Sequence, residues 1–268
     1  MQKETELNKE TSLFSAERID DVITMKFKED FLFHTTDFKT RDEILAYIDL
    51  VSGINLVKVM VIIGYPEKGG FESYIEFYKR ILVSKLGLTA IQRMYNIVDQ
   101  LIYAIVNLNK IVINLNSGKV ISLFQNISLA CDYRIIAENT VFQNPFLELG
   151  TIPKGGGAFF LSKMLGVSKA YKILLSGKNI TAYEALELGI VDKVVPLNEL
   201  EESGRVAANW FAKKPLRTLQ GVKRLLNHSK GNLKENLEIE NEEILRTIND
   251  TNFWKTVYEE NTHFPGNS

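Results

Sequence analysis

The chain has 268 residues, and its 32 Lys and Arg residues against 33 Asp and Glu residues give a formal net charge of −1. Hydrophobic residues make up 45% of the chain, which is ordinary for a globular protein that folds without a metal or disulfide staple. The balanced charge argues against a dedicated nucleic-acid binder. The single cysteine, Cys131, excludes an intramolecular disulfide, and the three histidines lie too far apart for zinc-site spacing.

The first segment, residues 1–12, is polar and charged and predicts a flexible arm. It contains no apolar stretch of the kind found in a signal peptide. The chain also has no run of about 18 apolar residues, so we expect no membrane-spanning helix and no membrane partner. The sequence therefore predicts a cytoplasmic protein with a reduced thiol.

Strand and helix patterns alternate along the chain after this arm. Residues 13–19 and 22–27 alternate apolar and polar side chains and predict a hairpin that turns at Asp20-Asp21. The further predicted elements are a helix over 40–51, a strand over 57–63, a helix over 91–107, a strand over 110–115, a helix over 122–130, strands over 133–137 and 140–142, and helices over 157–175, 182–188, 200–212, 215–226 and 233–248. This order predicts an α/β core over 13–200 and a helical region over 201–268.

Segments in the middle of the chain carry a family resemblance. They are Ser128–Ala137 (SLACDYRIIA), Phe142–Pro145 (FQNP) with Leu149–Gly157 (LGTIPKGGG), and Leu174–Pro196. In this order they resemble the enoyl-CoA hydratase/isomerase, or crotonase, superfamily, and the likeness covers roughly residues 13–264. The resemblance implies a stacked β-β-α spiral core, a C-terminal helical trimerisation region, and a homotrimer or hexamer.

The resemblance also implies a pocket for an acyl thioester, normally of coenzyme A, as substrate; it implies no cofactor and no metal. In this family two backbone N–H groups form an oxyanion hole, which stabilises an enolate or a tetrahedral intermediate. Gly69–Glu72 matches the loop of the first donor, which falls on the N–H of Phe71. Counting back from Cys131 places the second donor at Leu123. Leu123 and Phe124 stand where the family has glycines, and their side chains either narrow the pocket or point into the core.

The two glutamates that hydratases of this family use are absent. Their positions are occupied by Asn126 and Phe146, and neither side chain can shuttle a proton at neutral pH. A conventional hydratase or double-bond isomerase is therefore not expected. The substitute candidates are Glu148, which shares the face of Phe146 if the segment is extended, and Glu72, which lies beside the first donor.

Two hypotheses follow for the activity. The first is an enzyme that acts on an acyl thioester with non-standard acid and base residues. The second is a catalytically silent homologue that binds an acyl thioester or a partner protein. The family's segment that supports the adenine end of coenzyme A has no counterpart at Lys28–Thr36. The carrier is therefore either coenzyme A or an acyl carrier protein. The sequence also does not determine the acyl group, the reaction, or whether the oligomer is a trimer or a hexamer.

A triple glycine and an acidic run have simpler interpretations. Gly155–Gly157 predicts a tight turn before a helix, because the chain lacks the spacing of a nucleotide-binding loop. Lys154, just before it, is interpreted either as a solvent-exposed residue or as a contact to ligand phosphates. The acidic run Glu235–Glu243 is typical of a solvated helix face.

Overall fold

The computed structural model describes residues 7–28, 31–34, 38–64, 70–83 and 88–259. Its strands are β1 (Lys9–Glu10), β2 (Phe14–Ile19), β3 (Val22–Phe27), β4 (Val59–Ile63), β5 (Ile111–Asn116), β6 (Lys119–Ile121), β7 (Tyr133–Ala137), β8 (Val141–Gln143), β9 (Ile180–Thr181) and β10 (Lys193–Val195). Its helices are α1 (Phe31–His34), α2 (Phe38–Gly53), α3 (Phe71–Val83), α4 (Leu88–Asn107), α5 (Ser122–Ala130), α6 (Gly157–Leu165), α7 (Val167–Ser176), α8 (Ala182–Leu188), α9 (Leu200–Ala212), α10 (Leu216–Lys230), α11 (Leu233–Ile248) and α12 (Thr251–Glu259).

These strands form a large sheet and a small sheet. The large sheet has the order β1-β2-β3-β4-β5-β7-β10. The β1-β2 and β2-β3 pairs are antiparallel, and all the following pairs are parallel. The small sheet has the order β6-β8-β9, with β6 and β8 parallel. The chain therefore passes twice from the large sheet to the small one and then into a helix, as β5-β6-α5 and as β7-β8-α6. This is the stacked β-β-α arrangement that the sequence resemblance implies.

The central strands of the large sheet, β4, β5 and β7, are buried on both faces, as their continuous apolar pattern predicts. On β4, Met60 and Ile62 join the main core, whereas Val59 and Val61 join a second core on the other face. Helix α9 covers that second face. Gly204 allows the helix to approach the sheet closely, since a Cβ at this position would lie only 2.5 Å from a methyl group of Leu115. The predicted boundary between 200 and 201 therefore does not separate two packing units, since α9 belongs with the sheet.

The periodicity of the sequence predicts the longer elements well and the short ones poorly. The bounds predicted for α5, α8, α9 and β7 are confirmed. The predicted helix over 157–175 is divided in two by Gly166. Strands β6, β9 and β10 are only two or three residues long and are not predicted from the sequence, and neither is α3. None of the described helices is long and apolar enough to cross a bilayer.

The N-terminal arm corrects one prediction. Residues 1–6 lie outside the described residues, but residues 7–12 are not loosely attached. The side chain of Leu7 is fully buried, and its carbonyl oxygen accepts a 2.8 Å hydrogen bond from the Tyr47 hydroxyl. β1 then pairs with β2, so that Lys9 faces Ala16. One apolar side chain and one strand pair thus fix a segment that its polar composition predicts to be mobile.

We expect Leu7→Ala to lower the free energy of unfolding by about 2–5 kcal/mol, because it removes a buried side chain and leaves a cavity. Urea denaturation followed by circular dichroism measures the change. Leu56→Ala is the matched control, since Leu56 is 51% exposed, and a surface change of this kind stays within about 0.5 kcal/mol. A Leu7→Ala variant as stable as the control would mean that the arm does not pack as described.

Candidate functional site

The candidate site lies where β6 and β8 end. These neighbouring strands are parallel, and their registered pairs end with Ile121 beside Gln143. Ile121 is also the N-cap of α5, so the helix begins directly at the strand end. Carboxyl ends of parallel strands are common positions for ligand sites, because loops and helix N-termini converge there.

The first predicted donor, the N–H of Phe71, lies at this strand end. Phe71 is the first residue of α3, and its N–H donates a 2.9 Å hydrogen bond to Oε1 of Gln143. Gly70, the residue before it, lies against the same side chain, since a Cβ there would be 3.1 Å from that oxygen. Gly69, which belongs to the predicted loop, lies outside the described residues.

The second predicted donor, the N–H of Leu123, lies in the first turn of α5. No side chain caps this helix, so the first-turn N–H groups depend on other acceptors. The side chain of Leu123 is buried in the main core, and Phe124 packs edge-on against Phe31, with 5.6 Å between the ring centroids. Of the two alternatives for these side chains, the structure thus places Leu123 in the core. The first turn also offers the positive end of the helix dipole.

Asn126 and Phe146, which the resemblance predicts to stand in the positions of the family glutamates, carry no acid or base. Asn126 is buried, and its Nδ2 donates a 2.9 Å hydrogen bond to the carbonyl oxygen of Lys154. The amide also lies against Gly157, where a Cβ would come within 2.7 Å of Nδ2. Phe146 is buried as well, with 3% of its surface exposed. Asn126 therefore holds the glycine turn, and neither side chain can transfer a proton at neutral pH.

The candidate Glu148 is not brought to the same face as Phe146. Backbone hydrogen bonds run from the N–H of Leu149 to the oxygen of Pro145 and from the N–H of Thr151 to that of Phe146, so the segment turns instead of extending. Glu148 is exposed in this turn, whereas Phe146 is buried. The extended geometry on which the Glu148 prediction depends is absent.

The candidate Glu72 lies close to the first donor. Its Oε2 would be 3.1 Å from a Cβ on Gly70, and its Oε1 accepts a 3.2 Å hydrogen bond from Lys119 Nζ. A hydrogen bond from the backbone N–H of Glu72, together with Lys119, lowers the pKa of this carboxyl. The carboxylate is therefore ionised at neutral pH, so that it is available as a base and not as an acid, although the lowered pKa weakens it as a base.

Lys154 is neither exposed nor placed for a ligand phosphate; it is buried in an ionic cluster. Its Nζ pairs with the Asp99 carboxylate, donates a 2.7 Å hydrogen bond to Asn241 Oδ1, and lies 3.4 Å from Glu240 Oε1. Glu240 in turn accepts the N–H groups of Gly155 and Gly156 at 2.6 and 2.9 Å. The interpretation of the acidic run as a solvated face is therefore wrong for Glu240.

This cluster is electrically unbalanced. One ammonium faces two carboxylates, so full ionisation would leave a buried negative charge. Burial raises the pKa of Asp99 and that of Glu240, although Lys154 opposes the rise in both. The turn itself requires glycine, because Gly155 has a φ of 98° and Gly156 a φ of 77°. The cluster thus joins α4, α11 and the glycine turn directly behind Asn126.

Three buried tyrosines connect α3 to the same interior. The Tyr78 hydroxyl donates to the Tyr74 hydroxyl at 3.0 Å and lies 2.5 Å from the Tyr95 hydroxyl. The ring of Tyr95 lies 5.7 Å from Lys154 Nζ. Burial raises the pKa of each tyrosine, so these phenols stay neutral and serve as hydrogen-bond donors. No sequence pattern predicts this link, because Tyr74 and Tyr78 on α3 lie 17 or more residues from Tyr95 on α4.

Comparison with known proteins identifies the family. The family model for enoyl-CoA hydratase/isomerase matches residues 21–265. The chain belongs to the enoyl-CoA hydratase/isomerase family. Family members similar to it include a probable mitochondrial enoyl-CoA hydratase of Dictyostelium discoideum, 39% identical over 38% of this chain and 37% of that protein. A trans-2-decenoyl-[acyl-carrier-protein] isomerase of Streptococcus mutans is 28% identical over 60% of this chain and 61% of that protein.

The match to these curated family members is partial in length. This chain spans less than two thirds of each, from 32% to 61% among the first four. Solved structures match over almost the whole chain. An enoyl-CoA hydratase of Bacillus halodurans aligns with a TM-score of 0.77 at 20% identity, covering 92% of this chain and 99% of that one. At this identity the likeness shows that the family fold is shared.

Within the described residues, no group of three or more His, Cys, Asp or Glu side chains is arranged to hold a metal ion. Cys131 is buried, and its Sγ donates to the carbonyl oxygen of Ile127. The acid and base candidates in this part of the family fold are therefore the carboxylates described above.

Replacing the buried lysine tests the ionic cluster. We expect Lys154→Met to lower the free energy of unfolding by about 3–5 kcal/mol at pH 8, because it leaves two buried carboxylates without their cation. A carboxyl whose pKa is raised on folding contributes stability below its unfolded pKa and loses it as the pH rises through the folded pKa. The deficit of the variant should therefore shrink when urea denaturation is repeated at pH 5.

The control is Lys234→Met, which breaks an exposed ion pair with Glu238. Such pairs contribute about 0–1 kcal/mol, so this variant should stay close to the parent protein at both pH values. A Lys154→Met deficit that is equally large at pH 5 and pH 8 would contradict the electrostatic account.

Proposed function

We propose that the protein acts on an acyl thioester, by polarising the thioester carbonyl between the N–H groups of Phe71 and Leu123. The observation that carries the proposal is the position of the Phe71 N–H. It is held 2.9 Å from a carbonyl-type oxygen, that of Gln143, on the strand next to the one that leads into α5. A thioester oxygen in that place would receive the same hydrogen bond and face the first turn of α5. Such fixed donors stabilise negative charge as it develops on the oxygen.

The reaction would pass through an enolate or a tetrahedral intermediate, with acid and base residues that differ from those of conventional hydratases. Glu72 is the base that the geometry favours, because its side chain lies beside Gly70 and its lowered pKa keeps it ionised. Glu148 stays a second candidate for the acid or base. Its exposed position in a turn, away from the face of Phe146, is an argument against it. The carrier is the thioester of coenzyme A or of an acyl carrier protein, and the likeness to a decenoyl-carrier isomerase supports keeping both.

A silent homologue is the second candidate function. The buried Asn126 and Phe146 favour it, since both positions that carry glutamates in conventional hydratases are used for packing. Such a protein would bind the thioester, or a partner, without converting it.

We also propose that the protein assembles as a homotrimer or hexamer. Helices α7 and α8 support this, because Val167, Tyr171 and Leu175 are 60–66% exposed on the first and Tyr183 is 63% exposed on the second. Exposed apolar groups of this size are typical of contact surfaces between subunits. Light scattering coupled to size exclusion measures the mass directly; a monomer at micromolar concentration would refute the assembly.

Incubation of the protein with a panel of acyl-CoA thioesters in D₂O tests the function. An active oxyanion hole with a base should bring deuterium to the α-carbon or change the mass of the thioester, and mass spectrometry detects either. Glu72→Gln should lower this rate by about a hundredfold or more if Glu72 is the base. The rate should also fall as the pH drops through the lowered pKa of Glu72.

The matched control is Glu202→Gln, which changes an exposed glutamate paired with Arg205 and should leave the rate unchanged. An equal rate in Glu72→Gln and the parent would remove Glu72 from the mechanism. Binding of the thioesters with no exchange or turnover across the panel would favour the silent homologue.

A further inference from the structure

The first donor of the proposed oxyanion hole is already engaged. The Phe71 N–H donates to Oε1 of Gln143 at 2.9 Å. A side-chain carboxamide oxygen is a carbonyl acceptor, like the thioester oxygen that the proposed function brings to the same N–H. A single N–H at this distance and angle serves one strong acceptor at a time. The two oxygens therefore compete for one donor.

Gln143 also lies on the strand beside the start of the helix that carries the second proposed donor. Gln143 is the last residue of β8 and is registered beside Ile121, the N-cap of α5. Neighbouring strands are about 4.8 Å apart, so the Gln143 side chain begins next to the helix turn that contains Leu123. Gly70 leaves room for the carboxamide, since its missing Cβ would come within 3.1 Å of Oε1.

The side chain of Gln143 is free to leave this position. The residue is only half-buried, between the buried Phe142 and Asn144. The strand is held by its pairs with β6 and β9, in which the carboxamide takes no part. Rotation of the side chain would thus free the Phe71 N–H without disturbing β8.

We propose that Gln143 is an internal plug of the oxyanion hole, which an acyl thioester must displace to bind. This inference rests on the proposed function. It assigns to Gln143 a role in setting affinity: the stronger its side chain is as an acceptor, the weaker the binding of the thioester carbonyl. Glu at this position would be a stronger acceptor and Met a much weaker one of similar size.

The test is the affinity of the full-length protein for decanoyl-CoA and for free coenzyme A, measured by isothermal titration calorimetry. Gln143→Met should bind decanoyl-CoA about three- to tenfold more tightly than the parent, which corresponds to one net hydrogen bond. Gln143→Glu should bind it more weakly than the parent. Free coenzyme A has no thioester carbonyl, so its affinity should not follow this order. Gln100→Met, at an exposed position on α4, is the matched control and should bind like the parent.

Each result of these titrations either supports the plug or overturns it. The order Met, Gln, Glu for decanoyl-CoA alone supports the plug, and so does binding that appears only in Gln143→Met. Equal decanoyl-CoA affinities in the parent and both Gln143 variants overturn the plug and leave the proposed function intact. The same shifts for free coenzyme A would mean that Gln143 acts on the carrier and not on the carbonyl, which also overturns it. No binding of decanoyl-CoA by any variant, with circular dichroism showing folded protein, would refute the plug together with coenzyme A thioesters as ligands. Decanoyl-pantetheine, titrated in parallel, would then show whether the proposed function holds for a carrier-borne thioester.

Discussion

The buried ammonium group of Lys154 is the constraint on which the interior of this protein depends. A charge with 1% of its side chain exposed is stable only if it is paired, and its partners come from α4 and α11. Glu240 also accepts a hydrogen bond from the backbone of the glycine turn. Asn126 on α5 donates a hydrogen bond to the carbonyl oxygen of Lys154, so α5 is connected to the same cluster. The helix that would supply the second donor is therefore fixed, through a chain of polar contacts, by a lysine well behind it.

This arrangement shows how backbone donors can be held in place without an acid or a base at Asn126 or Phe146. Backbone N–H groups depend on where a helix begins, not on which side chain it carries, so Leu123 can stand in place of a glycine with its side chain in the core. An acid or base depends on the side chain itself, and Asn126 and Phe146 are both buried side chains that do not ionise. The donors that the backbone would supply and the acid or base that a side chain would supply thus depend on different features of the sequence.

The sequence predicted what local patterns and ordered motifs encode. Periodicity predicts helix α5 and strand β7, and the triple glycine predicts the turn, because few other structures suit these residues. The order of the motifs indicates the stacked fold. Prediction failed where the decisive partner lies far away in the chain. Leu7 is held by Tyr47, and Lys154 by residues on α4 and α11. Local sequence therefore predicted a mobile arm at Leu7, and a Lys154 that either faces solvent or contacts ligand phosphates. The face of Glu148 could not be predicted for a different reason: it depends on whether a five-residue segment turns, which spacing does not determine.

The ionic cluster also bears on the order in which the polypeptide folds during synthesis. Lys154 is separated by 55 residues from Asp99 and by 87 from Asn241, and Asn241 is 142 residues from Asp99. Contacts of such long sequence separation form late because long loops must close first. A nascent chain that has emerged from the ribosome only as far as α10 contains the lysine and Asp99 but not the residues of α11. The ionic cluster can therefore be completed, and the glycine turn held by Glu240, only after α11 has been translated.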